Sequence, residues 1–280
     1  MKNTRLISFI LIAAIVIGGL IISSKLTKGP SLPEPEMLPT PSPTPTPTPR
    51  PLTFAEMNVL YGPCVKLPTL TYHHIQSQES AEAKGQTSLT VYTDSFKNQM
   101  QYLRDKGYNV VTMNDLVNFF DQGTPIPKTS VLLTFDDGYE DFYTDAFPIL
   151  KSLGFKATMF TPTGLMGNPD YLTWDEAMSI NGDVLFANHT WSHKSMLSDG
   201  NIDESEILMA DTQLVERGLG SPKVFAYPYG GVSSVAERVL LKYAYKLAFS
   251  TRYGSILCKK QRFELPRIRI GNSPLSSYGF

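Results

Sequence analysis

The chain has 280 residues, with 25 Lys and Arg against 26 Asp and Glu, and its formal net charge is −1. This length suffices for one large domain with a well-buried core but not for two. No block of basic residues is clustered enough to contact a phosphate backbone, so the composition predicts that nucleic acid is not a partner.

The N-terminal segment has the composition of a membrane anchor. Two basic residues precede an uncharged apolar run over residues 6–22, and two lysines follow it. At about 1.5 Å of helix rise per residue, this run spans most of a bilayer core. The alternative is a cleaved signal peptide, whose apolar region is usually only about 7–15 residues long and ends at a small-residue cleavage site. We therefore predict a membrane anchor over residues 1–28, with a signal peptide as the alternative.

Residues 29–52 form a linker rich in proline and threonine. Proline is excluded from helix interiors and central strands, so an extended polyproline II stalk is expected here. Such a stalk holds a domain away from a membrane. The domain over residues 53–280 is thus predicted to be extracytoplasmic, at the outer face of the membrane or in the cell wall. It would be secreted if the N-terminal segment is cleaved.

The chain has only two cysteines, Cys64 and Cys258, and their spacing is not that of metal ligands. A disulfide between them is possible outside the cytoplasm, where such bonds persist. Two free thiols are equally compatible with the sequence, so both states remain open.

Helical and strand patterns alternate along the domain. A helix is predicted to begin with Thr93 and Asp94 as its cap and to end before Gly107. In chain order, further elements are a helix over 114–122, a strand over 131–135, a helix over 147–153, strands over 157–160 and 184–187, helices over 202–215 and 234–243, and a strand over 247–250. This alternation predicts an α/β fold with a mainly parallel sheet, open or closed into a barrel.

Polar residues follow several of the predicted strands, and in parallel α/β folds the chemistry gathers at these carboxyl ends. Asp136 and Asp137 come directly after the run over 131–135. One of them could cap a turn, but two adjacent carboxylates are costly to keep together unless a proton or a cation lies between them. The pair is therefore a candidate for catalysis or metal binding.

His189 and His193 follow the strand over 184–187. They are four residues apart, so on a helical turn both imidazoles would project from one face. A single histidine is more often a core or surface residue than a ligand. One carboxylate with two imidazoles and an open position for water is, however, a typical set of ligands for a catalytic divalent metal.

The motifs LTFDDGY over 133–139 and HTWSH over 189–193 resemble the first two motifs of the NodB-homology polysaccharide deacetylases, carbohydrate esterase family 4. The similarity extends over about residues 67–270. The resemblance implies a distorted (β/α) barrel of about seven strands. It also implies a metal-dependent hydrolase that removes N-acetyl groups from a cell-surface or extracellular polysaccharide containing N-acetylglucosamine.

The resemblance also assigns roles to individual residues. Asp136 would be the general base, and Asp137, His189 and His193 would hold one divalent metal ion. Zinc is the expected metal, with nickel, cobalt and iron as alternatives. Tyr229 would donate its backbone N–H to the oxyanion.

Aromatic side chains are candidates for contacts with sugar rings. Tyr72, Trp174 and Trp191 could form the floor of a substrate groove, as could the Tyr229 ring. Packing in the core is the alternative for each of them.

Two positions depart from the usual family pattern. The arginine that orients the catalytic aspartate is replaced by Ala226, so Arg267 or Arg269 would take that task. No histidine follows His193. His73 is therefore the candidate general acid, in an arrangement that resembles the circularly permuted branch of the family, which includes poly-N-acetylglucosamine deacetylases of biofilm matrices.

Two other functions remain open. The protein could be an O-acetyl esterase of the same family that acts on xylan, or a non-catalytic homologue that only binds carbohydrate. The expected partners are a polysaccharide substrate and, through the N-terminal helix, a membrane; the domain itself is expected to be a monomer.

Overall fold

The computed structural model describes residues 50–197 and 200–280, together with Gly29. Residues 50–280 form one unit in this description. Within the described part of the chain, no helix is both long and apolar enough to span a membrane. The predicted anchor over 1–28 and most of the predicted linker lie outside the described residues, so both stay predictions.

Seven parallel strands close into a barrel. Their bounds are β1 Thr69–Tyr72, β2 Ser130–Asp136, β3 Ala157–Thr161, β4 Val184–Asn188, β5 Val224–Ala226, β6 Leu247–Tyr253 and β7 Leu265–Arg269. Strands β2 to β7 are neighbours in chain order, and β1 lies between β7 and β2. Leu70 on β1 closes the ring, because it pairs with Ile268 on one side and with Leu133 on the other. The parallel sheet predicted from the sequence is thus barrel-like.

Helices cover the outside of the barrel, and short strands extend its edges. The helices are α1 Phe54–Tyr61, α2 Gln78–Ala83, α3 Thr93–Asp105, α4 Met113–Gln122, α5 Phe147–Leu153, α6 Trp174–Ser179, α7 Gly200–Val215 and α8 Ser234–Lys242. Short strands outside the barrel are Cys64–Lys66, paired with Ile256–Cys258, then His74–Gln76, paired with Thr90–Tyr92, and Asn109–Val110, paired with β2.

Local sequence signals explain most of the helix ends. Helix α5 has Pro148 in its first turn and ends at Gly154, whose φ of 69° is the left-handed conformation that glycine adopts easily. Helix α4 begins after Thr112, which forms a capping box with Asp115. The cap predicted for α3 is wrong. Thr93 is already helical, and its hydroxyl donates a hydrogen bond to Asp145 (3.1 Å) instead of capping the helix.

Every residue of β2 is buried, as expected for a strand that faces the barrel interior on one side and helices on the other. Burial on both faces explains why its sequence is a continuous apolar run without alternation.

Outside the barrel, Cys64 and Cys258 face each other on paired strands and form a disulfide. The structure therefore selects the disulfide over the free thiols that the sequence left open.

Candidate active site

A cavity of about 600 Å³ opens at the carboxyl ends of the barrel strands. Most of its polar lining comes from residues at or near the ends of β1, β2, β4 and β7 and from the turn after β5. The lining residues are Thr71, His73, Leu89, Asp136, Asp137, Tyr139, His189, His193, Tyr227, Tyr229, Thr251, Arg267 and Arg269. The candidate base, metal ligands, general acid and oxyanion donor thus share one cavity.

Asp137, His189 and His193 converge on one point. Asp137 Oδ1 lies 3.4 Å from His189 Nε2 and 3.0 Å from His193 Nε2, and the three potential ligand atoms lie within 4.8 Å of one another. His189 Nδ1 lies 2.7 Å from the Ala226 carbonyl, to which it donates, so its Nε2 is free to accept a cation. The arrangement could hold a divalent metal ion and leave positions open toward the cavity.

The charge state of the Asp137 carboxyl suits a metal ligand. Burial by itself raises the pKa of this carboxyl, but the hydrogen bonds with His189 and His193, together with electrostatic interaction with His189 and His73, lower it more strongly. The net pKa lies well below the usual range, so Asp137 is ionised at neutral pH. A cation can therefore bind without first displacing a proton from the carboxyl.

The two histidines do not lie on a helical turn, so that part of the sequence interpretation is wrong. Residues 189–193 form an irregular loop after β4. Thr190 and His193 have φ values of 68° and 58°, in the left-handed region that residues with a Cβ rarely adopt. These two conformations, rather than a helical repeat, bring the imidazoles together.

Asp136 is bound by one of the two arginine candidates. Arg267 donates from Nη1 to Asp136 Oδ1 (2.7 Å) and from Nη2 to Oδ2 (2.6 Å), with both side chains buried. Burial raises the pKa of Asp136, but the Arg267 charge and its hydrogen bonds outweigh this, and the net pKa lies below the usual value. Arg269 lines the cavity, but its Nη2 donates to the Ser88 carbonyl (3.1 Å).

The adjacent histidines His73 and His74 lie on different sides of the backbone, as expected for extended chain. His73 lines the cavity, where burial lowers its pKa and the Asp136 and Asp137 charges only partly oppose this shift. His74 instead hydrogen-bonds Asp141 through Nδ1 (2.5 Å) and stacks on the Tyr139 ring. Only His73 therefore reaches the candidate site.

Tyr229 lies at the cavity mouth in a tight turn after β5. Its φ is 60°, its side chain is 72% exposed, and its ring lies 4.8 Å from the His193 ring. The next residue must be glycine, because a Cβ on Gly230 would lie 1.9 Å from Thr251 Oγ1. This close approach keeps the Tyr229 backbone beside the cavity.

None of the three other aromatic candidates is among the residues that line this cavity. Tyr72 is fully buried, and its hydroxyl donates to Gln99 (3.1 Å), so its prediction as a sugar-binding residue is wrong. The Trp174 ring packs under the Arg217 guanidinium at 4.1 Å. Trp191 packs on the backbone at Gly164, where a Cβ would meet the indole at 2.6 Å.

Sequence reasoning missed Tyr139 as a site residue, although it directly follows Gly138 in the first motif. Its ring lies between His74 and Tyr171, with centroid distances of 3.5 and 5.3 Å, and lines the cavity. Burial and the Asp137 charge raise the pKa of its hydroxyl, so the hydroxyl stays protonated. Its position in the motif was the only available signal.

Comparisons with known proteins agree with this geometry. The family profile described as polysaccharide deacetylase matches residues 123–248. A solved structure, the Streptococcus pyogenes deacetylase PplD in complex with acetate, is 30% identical with a TM-score of 0.69. The match covers 75% of this chain and 94% of that one.

Two curated relatives are named poly-β-1,6-N-acetyl-D-glucosamine N-deacetylase. The protein from Escherichia coli K12 is 26% identical over 73% of this chain, and the match spans 36% of its own length. The protein from Staphylococcus epidermidis is 23% identical, with 72% of this chain and 78% of that protein covered. The E. coli protein thus extends well beyond the part that matches.

Proposed function

This chain belongs to the polysaccharide deacetylase family, and on that premise we propose that it hydrolyses N-acetyl groups on a polysaccharide of N-acetylglucosamine. One observation carries the proposal: a single cavity contains a carboxylate held by arginine, Asp136, beside the cluster of Asp137, His189 and His193. The names of the two curated relatives support β-1,6-linked N-acetylglucosamine as the substrate.

The cluster of Asp137, His189 and His193 fits a divalent cation, for which we propose zinc, with nickel, cobalt and iron as alternatives. One carboxylate oxygen and two imidazole nitrogens are a common donor set for zinc. The hydrogen bond from His189 to the Ala226 carbonyl adds the second-sphere contact that orients such ligands. A cation held there would act as a Lewis acid and would lower the pKa of water.

The residues around the cluster would carry the proton transfers. Asp136, kept ionised by Arg267, accepts a proton from water as the water oxygen bonds to the acetamide carbonyl carbon. The Tyr229 N–H donates to the oxyanion that forms. His73 then gives a proton to the sugar nitrogen as the C–N bond breaks, which releases a free amine and acetic acid, and the acid ionises to acetate in water. Burial lowers the pKa of His73, so its imidazolium is a stronger acid, but a smaller fraction of the side chain carries the proton at neutral pH.

The decisive experiment measures acetate release from three substrates: β-1,6-linked N-acetylglucosamine oligomers, chito-oligomers and acetylated xylan. We expect release from the β-1,6 oligomers, its loss after treatment with a chelator, and its return when zinc is added. Release from acetylated xylan alone would identify an O-acetyl esterase. Binding of oligomers without acetate release by the metal-loaded protein would identify a carbohydrate-binding homologue.

We propose further that the domain lies outside the cytoplasm, held by the apolar run over residues 6–22. The Cys64–Cys258 disulfide supports this location, because such bonds persist in oxidising compartments. Protease added to intact cells should release a fragment that begins between residues 30 and 53. A domain that stays protected until the cells are lysed would contradict the proposal.

A further inference from the structure

The buried carboxylate of Glu206 on α7 binds the loop between the two histidines of the candidate metal site. Its Oε2 accepts hydrogen bonds from the backbone N–H groups of Trp191 (3.1 Å) and Ser192 (2.8 Å), and its Oε1 accepts one from the Ser192 hydroxyl (2.8 Å). Glu206 is only 8% exposed. These three hydrogen bonds all go to residues between His189 and His193.

This loop needs external support, because Thr190 and His193 both adopt left-handed conformations that a Cβ disfavours. Such conformations persist only where the surrounding contacts determine them. The same helix also supports the start of the loop, through hydrogen bonds of the Asn188 side chain. Asn188 Oδ1 accepts from the Thr190 N–H (2.8 Å), and Asn188 Nδ2 donates to the Ile207 carbonyl on α7 (2.9 Å).

The geometry assigns Glu206 as a positioning residue for the metal ion, an inference that rests on the metal site of the proposed function. By fixing the peptide groups of Trp191 and Ser192, Glu206 holds the next residue, His193, with its Nε2 3.0 Å from Asp137 Oδ1. Glu206 does not line the cavity itself and acts only through the loop.

The side-chain chemistry defines a graded set of variants. Glu206→Ala removes all three hydrogen bonds. Glu206→Gln keeps an oxygen for the two backbone N–H groups, and its amide can donate to the Ser192 hydroxyl. Ser192→Ala removes only the contact with Oε1. Glu204→Ala is the matched control, because Glu204 lies on the same helix and bonds Lys242 (2.7 Å) and Tyr243 (2.5 Å).

The test is the zinc Kd of the metal-free full-length chain, measured by competition with a fluorescent chelator, with folding of each variant checked by circular dichroism. Loss of a hydrogen bond that orients a metal ligand typically weakens metal binding by about 10–100-fold. Glu206 orients His193 through the loop backbone, and we expect an effect of this size for Glu206→Ala. Glu206→Gln and Ser192→Ala should each weaken it by less than about tenfold. Glu204→Ala should stay within about twofold of the unchanged protein.

The possible outcomes distinguish a failure of this inference from a failure of the proposed metal site. A folded Glu206→Ala protein that binds zinc as tightly as the unchanged protein overturns this inference alone. Absence of zinc binding by the unchanged protein overturns the proposed metal site and this inference with it. If Glu206→Ala does not fold, Ser192→Ala and Glu206→Gln decide, and an unchanged Kd in both rejects the role of Glu206.

Discussion

Arg267 donates two parallel hydrogen bonds to Asp136, at 2.7 and 2.6 Å, from the last strand of the barrel to the end of the second. A third donor, Arg267 Nε, binds the Ser250 carbonyl (3.1 Å) and fixes the plane of the guanidinium. The family resemblance places this arginine at the position that Ala226 occupies on β5. Only β1 separates β7 from β2 in the barrel, so a side chain from β7 can reach the carboxylate at the end of β2.

Replacing Arg267 with methionine should shift the acid limb of the pH–rate profile. Burial raises the pKa of Asp136 and the guanidinium lowers it, so without Arg267 the pKa rises. A protonated Asp136 cannot accept a proton, so activity should be lost at a higher pH than in the unchanged protein. The measurement is kcat/KM against pH. Arg269→Met is the control and should leave the limb in place; an unmoved limb in Arg267→Met would contradict the pairing.

Substitution should distinguish the roles of the two adjacent aspartates. Asp136→Asn should lower kcat by about 10²–10⁴ with the bound metal retained, because an amide cannot accept the proton. Asp137→Asn should lose metal, because it removes the charged ligand of the cluster. Elemental analysis of both purified variants, together with kcat, tests the assignment. If Asp136→Asn loses the metal while Asp137→Asn keeps it, the two roles are reversed.

Local signals predicted many of the helices and strands of this fold, because these signals depend on residues close in sequence. The helix α5 between Pro148 and Gly154 and the buried run of β2 illustrate this. The local patterns left closure of the barrel open and only the family resemblance predicted it, since closure depends on pairing Leu70 with Leu133, 63 residues later. No local pattern distinguishes an open parallel sheet from one whose first strand returns to close it.

The site residues were predicted correctly where they belong to a sequence motif. The prediction was wrong where the role of a residue depends on the direction of its side chain. The cluster of Asp137, His189 and His193 lies where the motifs predicted, but its loop is not helical, because tertiary contacts determine its backbone. Tyr72 was misassigned because an aromatic residue in a strand serves a core or a groove equally well. Its position on β1 turns it toward Gln99 on α3.

Removing the disulfide should cost stability but not catalysis. Cys64→Ser combined with Cys258→Ser should lower the free energy of unfolding by about 2–5 kcal/mol, because a bond across 194 residues restricts the unfolded chain. The bond joins strands outside the barrel, so metal content and kcat at low temperature should not change. Urea denaturation with and without reductant measures the effect. Equal stability of the double variant and the oxidised protein would contradict it.

The last prediction concerns His73 as the proton donor to the leaving amine. An amine is a poor leaving group unless it is protonated, whereas the phenolate of an activated acetate ester leaves without a proton. His73→Ala should therefore reduce kcat on the acetamide substrate by about 10²–10⁴ and on the activated ester far less.

His74→Ala is the matched control for this prediction, since it removes the neighbouring imidazole, which binds Asp141 rather than facing the cavity. It should affect both substrates equally, through packing against Tyr139. A selective loss on the acetamide identifies the missing function as proton transfer, because binding and the metal site serve both substrates. Equal losses on both substrates in His73→Ala, or a selective loss in His74→Ala, would remove His73 from this role.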